Sequence, residues 1–233
     1  MKVEKKQWDS DFFNLRIGYV EIESLEDSRE LATQREQLAD EYDLIYIFDA
    51  NRVGFDGEDA KLVDEKILYT KICENRDKYE EVMLYVPEEP NDSLYKLALV
   101  SGEFSRFRLD ERLPKGSYER MYHRWIENAC PFPGTNKQIF VYSPDGIAQG
   151  MITVDYKGNK AQIGLVAIDS EYQHQGVGTK IMSTLEYVLY REGIWNIDVV
   201  TQSANKVACS WYEKNGFTIK SVTNIYHWWL KNK

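Results

Sequence analysis

A short segment rich in glutamine and glycine, Gln173-His-Gln-Gly-Val-Gly178, stands between a strand-like apolar stretch at residues 161–168 and a helical pattern at residues 177–192. Small residues let a backbone wrap closely around an anion, and the first N–H groups of the following helix point at the same position. The segment therefore predicts a main-chain site for a diphosphate group. A tight strand-to-helix turn also needs glycine for steric reasons alone, so both interpretations stay open at this stage.

The spacing of this segment excludes two common nucleotide-binding loops. A dinucleotide-binding GxGxxG pattern is absent, and no Gly-Lys-Ser/Thr follows as it would in a Walker A loop. The three cysteines, Cys73, Cys130 and Cys209, lie far apart in the sequence, as do the three histidines. We therefore expect reduced thiols and no metal site.

The charge distribution bears on the class of partner. The net charge is −9, and the acidic excess lies in residues 1–119. That half is therefore a poor surface for nucleic acid, and the C-terminal half is the better location for a polyanionic cofactor. The polar, lysine-containing start predicts no secretory signal, and no segment approaches the ~20 apolar residues that cross a bilayer. We expect a cytoplasmic protein with no membrane partner.

The remaining pattern predicts a mixed α/β fold. In the C-terminal half it predicts strands at residues 138–142, 147–156, 161–168, 196–201 and 217–230, with helices at 177–192 and 206–215. In the N-terminal half it predicts a helix at 27–41, a buried strand at 44–48, and a short helix ahead of a strand at 66–73. We therefore expect a smaller α/β region at 1–103, on the acceptor side, and a catalytic domain at 104–233.

Three motifs occur together in the order of the GNAT acetyltransferases: Val166-Ala-Ile-Asp169, Gln173-x-x-Gly-x-Gly178 and Asn205-x-x-Ala-x-x-x-Tyr212-x-x-x-Gly-Phe217. The chain resembles this superfamily over residues 164–217. The resemblance implies a GNAT fold, in which two strands of a central mixed sheet splay apart and seat the pantetheine arm of acetyl-CoA. It also implies transfer of an acetyl group from acetyl-CoA to a primary amine, and it makes a homodimer plausible.

The same resemblance implies a role for each motif. Backbone groups of Leu165, Val166, Ala167 and Ile168 would bind the pantetheine arm, and an N–H near Val166 would polarise the thioester carbonyl. The pyrophosphate would lie against the backbone of Gln173, His174, Gln175, Gly176, Val177, Gly178 and Thr179. Asn205 would bond to the pantetheine or hold the loop. Tyr212 would protonate the departing thiolate, since a phenol keeps its proton at neutral pH; otherwise it is an aromatic packed on the sheet.

A narrower resemblance is carried by Trp8-Asp-Ser-Asp-Phe-Phe13, Ser105-Arg-Phe107, Tyr122-His-Arg-Trp-Ile-Glu-Asn128 and Thr201-Gln-x-x-Asn205. These segments are similar to the dTDP-fucosamine acetyltransferases, which act on a nucleotide-linked 4-amino-4,6-dideoxygalactose. The acceptor implied is an amino group on a sugar nucleotide. A polyamine, an antibiotic amine or a protein amine stays open, because an acidic N-terminal half suits a cationic acceptor. A non-catalytic acyl-CoA-binding module is a third hypothesis.

Two sets of charged residues are candidates for the acceptor side. The attacking amine must lose a proton, and Asp64, Glu65, Glu80 and Glu81 are candidate bases, with bulk water equally credible. Arg106 and Arg124 are candidates to hold a diphosphate, because arginine suits phosphate geometry. Each of these side chains has the alternative explanation of a solvated surface charge.

Overall fold

The computed structural model describes residues 1–231 and contains one mixed sheet of ten strands. The strands are β1 (Glu4–Lys5), β2 (Ile17–Ile22), β3 (Leu44–Asp49), β4 (Ala60–Ile72), β5 (Val82–Leu84), β6 (Lys137–Tyr142), β7 (Gly150–Lys157), β8 (Lys160–Ile168), β9 (Asn196–Gln202) and β10 (Thr218–Trp229). Their order across the sheet is β1-β2-β3-β10-β4-β9-β8-β7-β6-β5. The β2–β3 and β8–β9 pairs are parallel and the others antiparallel, so the predicted mixed sheet is confirmed.

The helices cover both faces of this sheet. They are α1 (Gln7–Phe13), α2 (Leu25–Thr33), α3 (Arg35–Glu41), α4 (Asp92–Ser101), α5 (Arg106–Leu109), α6 (Ser117–Ala129), α7 (Val177–Arg191) and α8 (Lys206–Lys214). Buried residues of α1, α4, α5 and α6 form a core with one face of the sheet. On the other face, α7 and α8 pack over one end, and α2 and α3 over the other. No helix in the described part of the chain has the length and apolar character that crossing a membrane requires.

The parallel strands β8 and β9 pair over only part of their length. Their register runs from Lys160 opposite Asn196 to Ile163 opposite Val199, although β8 continues to Ile168 and β9 to Gln202. The two strands therefore separate beyond Ile163, as the GNAT resemblance implied. The fold class is that of the GNAT acetyltransferases, with a splayed central sheet.

An irregularity in β8 accompanies this separation. The register between β7 and β8 shifts between Ile152 and Val154, and there the hydroxyl of Thr153 accepts a hydrogen bond from the Leu165 N–H at 2.8 Å. A side chain at Gly164 would place its Cβ 2.8 Å from the same hydroxyl, so the site needs glycine. Because a bulge bends its strand locally, it turns the end of β8 away from β9.

Two N-terminal predictions were wrong in detail. The helix expected at residues 27–41 is interrupted at Gln34, which caps α2 and precedes α3. The short helix and separate strand expected after Gly57 are one strand, β4, because β10 pairs with it from Ala60 to Thr70. The N-terminal strands join the same sheet as the C-terminal ones; the division of the chain at residue 103 stays a prediction.

Candidate active site

A cavity of about 980 Å³ begins where β8 and β9 separate and extends toward α5 and α6. Most of the site residues predicted from the sequence line this cavity. They are Leu165, Val166, Ala167, Ile168, Gln173, His174, Gly176, Val177, Gly178, Thr179, Asn205 and Tyr212. Gln175 lies outside the lining, and its side chain instead donates to the Glu171 carbonyl at 2.9 Å. The fold thus gathers segments distant in sequence around one cavity.

The loop ahead of α7 presents backbone N–H groups to this cavity. Gly176 is the N-cap of α7, with a left-handed φ of 79°, and no side chain caps the helix there. The N–H groups of Val177, Gly178 and Thr179 lie in the first turn of the helix, where intrahelical acceptors are missing. The Gln173 side chain donates to the Ile168 carbonyl at 3.2 Å, which ties the loop to the end of β8. The arrangement suits an anion.

The second glycine of the loop has a packing role. A Cβ at Gly178 would lie 3.2 Å from Cζ2 of Trp211 on α8. Glycine therefore lets the start of α7 approach α8 closely. Both residues line the cavity, so this contact also sets the width of the cavity at the loop.

The exposed edge of β8 forms another part of the lining. From Gly164 to Ile168 the strand has no β9 partner, and Leu165 and Ala167 turn their side chains into the core. The backbone groups that face the opening can therefore pair with an extended ligand, as an added strand would. This is the geometry expected for the amides of a pantetheine arm.

Tyr212 and Asn205 lie at the two ends of the helical motif. The Asn205 side chain caps α8 by accepting from the Ala208 N–H at 3.0 Å. The Tyr212 ring packs between Tyr69 and Phe217, with ring centroids 5.7 and 5.5 Å away. Burial raises the pKa of the Tyr212 phenol, so its hydroxyl is protonated at neutral pH. Tyr212 is thus both a core aromatic and a part of the cavity wall.

Of the four candidate bases, Asp64 alone lines this cavity. Its pKa is raised to about 6 by burial, against the opposing effect of Arg106 and Lys66, and its buried Oδ1 has no hydrogen-bond partner among the described residues. Glu65, on the opposite side of β4, bonds to Ser203 at 2.8 Å and pairs with Arg52 at 3.1 Å.

The other two candidate bases lie elsewhere. Glu80 is exposed, and Glu81 pairs with Lys180 at 2.9 Å. Neither is part of the cavity lining that the structure describes. Asp64 is therefore the carboxyl group whose position and pKa suit proton transfer near neutral pH.

Of the two candidate arginines, too, only one lines the cavity. Arg106, on α5, lines the cavity, whereas Arg124 is exposed on α6 and pairs with Glu127 at 3.6 Å. The sequence reasoning missed Lys66, which also lines the cavity. Its signal was present, because Lys66 lies two residues after Asp64 on an alternating strand and so shares its face.

Residues 135–219 match the family model of the acetyltransferase (GNAT) domain, and this part of the chain is a GNAT acetyltransferase domain. GNAT acetyltransferases use acetyl-CoA. Among curated proteins, the chain is similar to a spermidine N(1)-acetyltransferase of Thermoplasma acidophilum, with 28% identity over 78 residues. The match covers 34% of this chain and 48% of that protein, so the chain spans about half the length of the curated relative it matches.

Solved structures extend the likeness to the fold of nearly the whole chain. A conserved protein of unknown function from Staphylococcus epidermidis aligns with a TM-score of 0.59 at 15% identity, over 91% of this chain and 82% of that one. A GCN5-related N-acetyltransferase from Kribbella flavida gives 0.51 at 12% identity, over 91% and 80%. A GNAT-family acetyltransferase from Colwellia psychrerythraea gives 0.50 at 15% identity, over 88% and 72%. At these identities the likeness concerns the fold.

Proposed function

We propose that the protein is an N-acetyltransferase that moves an acetyl group from acetyl-CoA directly to a primary amine. The observation that carries this proposal is the opening between β8 and β9, which leads into one cavity lined by both Tyr212 and Asp64. A general acid, Tyr212, within the matched acetyltransferase domain, and a general base, Asp64, from β4 outside that match thus border the same space.

Two parts of the cavity, and its volume, suit acetyl-CoA. The unpaired edge of β8 beyond Ile163 suits the amides of the pantetheine arm. The first turn of α7, with glycine at 176 and 178, suits the pyrophosphate. The volume of about 980 Å³ lies at the upper end of the range for ligand sites, which is ~300–1,000 Å³.

Each catalytic role follows from the position and protonation state of a residue. Acetyl-CoA supplies the activated acetyl group when it is bound. Asp64 takes the proton from the attacking amine, because its raised pKa matches that task near neutral pH. A backbone N–H near Val166 stabilises the negative charge that develops on the carbonyl oxygen. Tyr212 gives its proton to the departing sulfur, because burial holds the phenol in its neutral form.

For the acceptor, we propose the amino group of a nucleotide-linked amino-deoxysugar. The segments that resemble the dTDP-fucosamine acetyltransferases supply Arg106, Tyr122, Trp125 and Asn128, and these residues line the cavity. The rings of Tyr122 and Trp125 lie 4.8 Å apart and provide an aromatic wall against which a sugar can pack.

A polyamine is the second candidate acceptor. It is supported by the 28% identity to a protein described as a spermidine N(1)-acetyltransferase and by the acidic N-terminal half. The two acceptors differ in charge, because a polyamine is a cation throughout and a sugar nucleotide carries phosphate groups.

The first experiment measures thiol release from acetyl-CoA with the purified protein and a panel of amines. The panel includes a dTDP-linked 4-amino-4,6-dideoxygalactose, spermidine and a lysine peptide. We expect turnover on the sugar nucleotide, and turnover on spermidine alone would replace it with the second candidate. Tight binding of acetyl-CoA without transfer to any amine would contradict the proposal and favour a non-catalytic module.

A variant tests the role of Tyr212. We expect Tyr212→Phe to lower kcat about 100-fold, because general acid catalysis contributes ~10²–10⁴-fold, while acetyl-CoA binding is kept. Tyr187→Phe, in which a phenol on α7 outside the cavity lining is changed, is the matched control. Full turnover of Tyr212→Phe at every pH would exclude the acid role.

Two further parts of the proposal concern the setting of the reaction. The three cysteines are free and buried, which agrees with a reducing compartment, and we place the reaction in the cytoplasm. We also propose a homodimer, on the basis of the resemblance to the superfamily. Sedimentation equilibrium gives the mass that decides between one and two copies.

A further inference from the structure

Among the described residues, three cationic side chains line the cavity without an ion-pair partner, and one of them, Lys137, instead donates to the Asn128 carbonyl. Arg106 and Lys66 both contribute to its wall, and no carboxylate oxygen of residues 1–231 lies within 4.0 Å of either charged group. The buried Nε of Arg106 also has no hydrogen-bond partner among these residues. By contrast, two neighbouring arginines do form ion pairs. Arg108 lies 3.8 Å from Glu103, and Arg112 lies 3.5 Å from Asp110.

Aromatic rings fix the position of the Arg106 guanidinium. Its central carbon lies 4.7 Å from the ring centroid of Phe107, 5.0 Å from Tyr46 and 5.7 Å from Phe48. The Lys66 ammonium lies 5.0 Å from the centroid of the same Phe48 ring. These contacts hold both cations in place but leave their N–H donors without an anionic acceptor.

The two cations lie close enough to affect each other. Burial lowers the pKa of Lys66, and the positive charge of Arg106 lowers it further. Asp64 and Glu21 oppose these effects on the pKa of Lys66 without outweighing them, and among the described residues neither carboxyl group lies within ion-pair distance of the Lys66 ammonium. A partly buried pair of like charges is unfavourable by itself, and a bound anion would relieve it.

We propose that Arg106 and Lys66 bind an anionic group, phosphate or carboxylate, that the acceptor molecule carries beside its amine. This inference rests on the proposed acetyl transfer and specifies its acceptor. The planar guanidinium can bind two oxygens at once, and the ammonium adds a point charge beside it. The site selects an acceptor with both charges and disfavours a purely cationic polyamine.

The position of the proposed base limits the distance between the two groups of the acceptor. Asp64 and Lys66 are two residues apart on one face of β4, so their Cα atoms are separated by ~7 Å. An amine at Asp64 and an anion at Lys66 are therefore only a few bonds apart. An amino sugar with a phosphate at the anomeric carbon, or an amino acid whose amine and carboxylate are several carbons apart, has this size.

A binding experiment tests the anion site without depending on turnover. With the cofactor site saturated by CoA, dTDP and glutarate are titrated into the protein by calorimetry, one as a phosphate probe and the other as a carboxylate probe. We expect one of them to bind, and we expect Arg106→Gln and Lys66→Gln each to weaken that binding about 100-fold, as for the loss of a buried charge partner. The control Arg124→Gln, which changes an exposed arginine outside the cavity, keeps full affinity.

A kinetic experiment then compares two acceptors that differ only in the anion. The dTDP-linked amino sugar and the methyl glycoside of the same sugar are acetylated by the wild type and by both variants. We expect Arg106→Gln to raise KM for the phosphate-bearing acceptor about 100-fold and to change the glycoside less than about 3-fold.

Three results would overturn the proposal: binding of neither probe, unchanged binding in both variants, or equal losses on both acceptors. Binding of acetyl-CoA and the melting temperature show that each variant is folded. If the wild type acetylates no amine, the proposed function fails, and the calorimetry still decides whether the anion site exists.

Discussion

At the scale of single residues, the chemistry proposed for this site depends on which carboxyl side chain of β4 is buried in the cavity. Asp64 and Glu65 are neighbours in the chain, yet only the Asp64 side chain reaches the cavity, while Glu65 bonds to Ser203 and Arg52. Burial raises the pKa of Asp64 to about 6. The carboxyl group is thereby poised to exchange a proton near neutrality, which an exposed carboxyl is not.

This environment predicts a pH profile. A base acts when it is deprotonated, so kcat/KM should fall as the pH drops through about 6. Asp64→Asn should lower kcat/KM about 100-fold or more and remove this acid limb. Glu65→Gln is the matched control and should retain both rate and profile. An unchanged acid limb in Asp64→Asn would assign the proton to water or to another group.

The glycine at 178 gives a second prediction at this scale. A valine there would place its side chain against Trp211, because even a Cβ lies 3.2 Å from the indole. Gly178→Val should therefore displace the first turn of α7 and raise KM for acetyl-CoA about 10-fold or more, with less effect on KM for the amine. Steady-state kinetics in which each substrate is varied separate the two constants, and equal changes in both would contradict a local effect on the cofactor loop.

At the scale of secondary-structure elements, a buried ion pair joins β4 to α7. The Lys71 ammonium lies 2.7 Å from a carboxylate oxygen of Glu186, and the two side chains are 3% and 2% exposed. The other carboxylate oxygen accepts the Glu74 N–H at 3.1 Å. The helix α7, which begins at the loop proposed to bind the pyrophosphate, is thus fixed to the strand that carries Asp64.

Breaking this pair should destabilise the fold. Lys71→Met leaves the Glu186 charge buried without its cation and should cost about 3 kcal/mol in the free energy of unfolding. Adding Glu186→Gln to this variant removes that charge and should recover most of the lost free energy of unfolding. Urea unfolding of both variants measures the difference. Lys220→Met, which breaks an exposed pair with Asp198, is the control and should cost under ~1 kcal/mol.

The elements also show how far the sequence determines this structure. The helices α7 and α8 were predicted nearly to their ends because Gly193 and Gly216 mark their stops. The strand β4 was missed in part, because its first residues become a strand through pairing with β10, which lies far away in the sequence. The residues proposed for the cofactor could be chosen from sequence motifs in the same way, since they follow one another locally, and most of them line one cavity.

The residues proposed for the acceptor were less accessible to sequence reasoning. Asp64, Lys66 and Arg106 come from a strand and a helix that are distant in the chain, and only the three-dimensional fold brings them to one cavity. Asp64 could be proposed among four carboxyl groups, but its burial depends on α5 and on the sheet register. Residue type alone does not show which carboxyl group is removed from water.

At the scale of the whole molecule, a buried polar cluster connects the chain before α6 to the last strand. Oδ2 of Asp110 lies 2.6 Å from His227 Nδ1 and accepts from the Trp229 indole at 2.9 Å. Burial lowers the pKa of His227 to about 4, in spite of Asp110. Burial acts to raise the pKa of Asp110, but the hydrogen bonds from His227 and Trp229 outweigh it and lower that pKa to about 2.

The cluster predicts a loss of stability in mild acid. Below pH 6.5 the unfolded chain protonates this histidine while the folded chain does not, so the free energy of unfolding falls until the pH reaches about 4. The shift corresponds to a loss of about 3 kcal/mol. Asp110 stays ionised over this range. His227→Asn should flatten the dependence in urea unfolding from pH 7 to 4, and an equal slope in the variant would refute this assignment.

The position of β10 has a consequence for how the molecule is made. This strand follows all the others in the sequence, yet it lies in the middle of the sheet, between β3 and β4. During synthesis on the ribosome, β3 and β4 therefore emerge long before the strand that separates them. Until residues 218–229 leave the exit tunnel, β3 and β4 each have an edge without its final partner, and such edges can pair with other chains during that time.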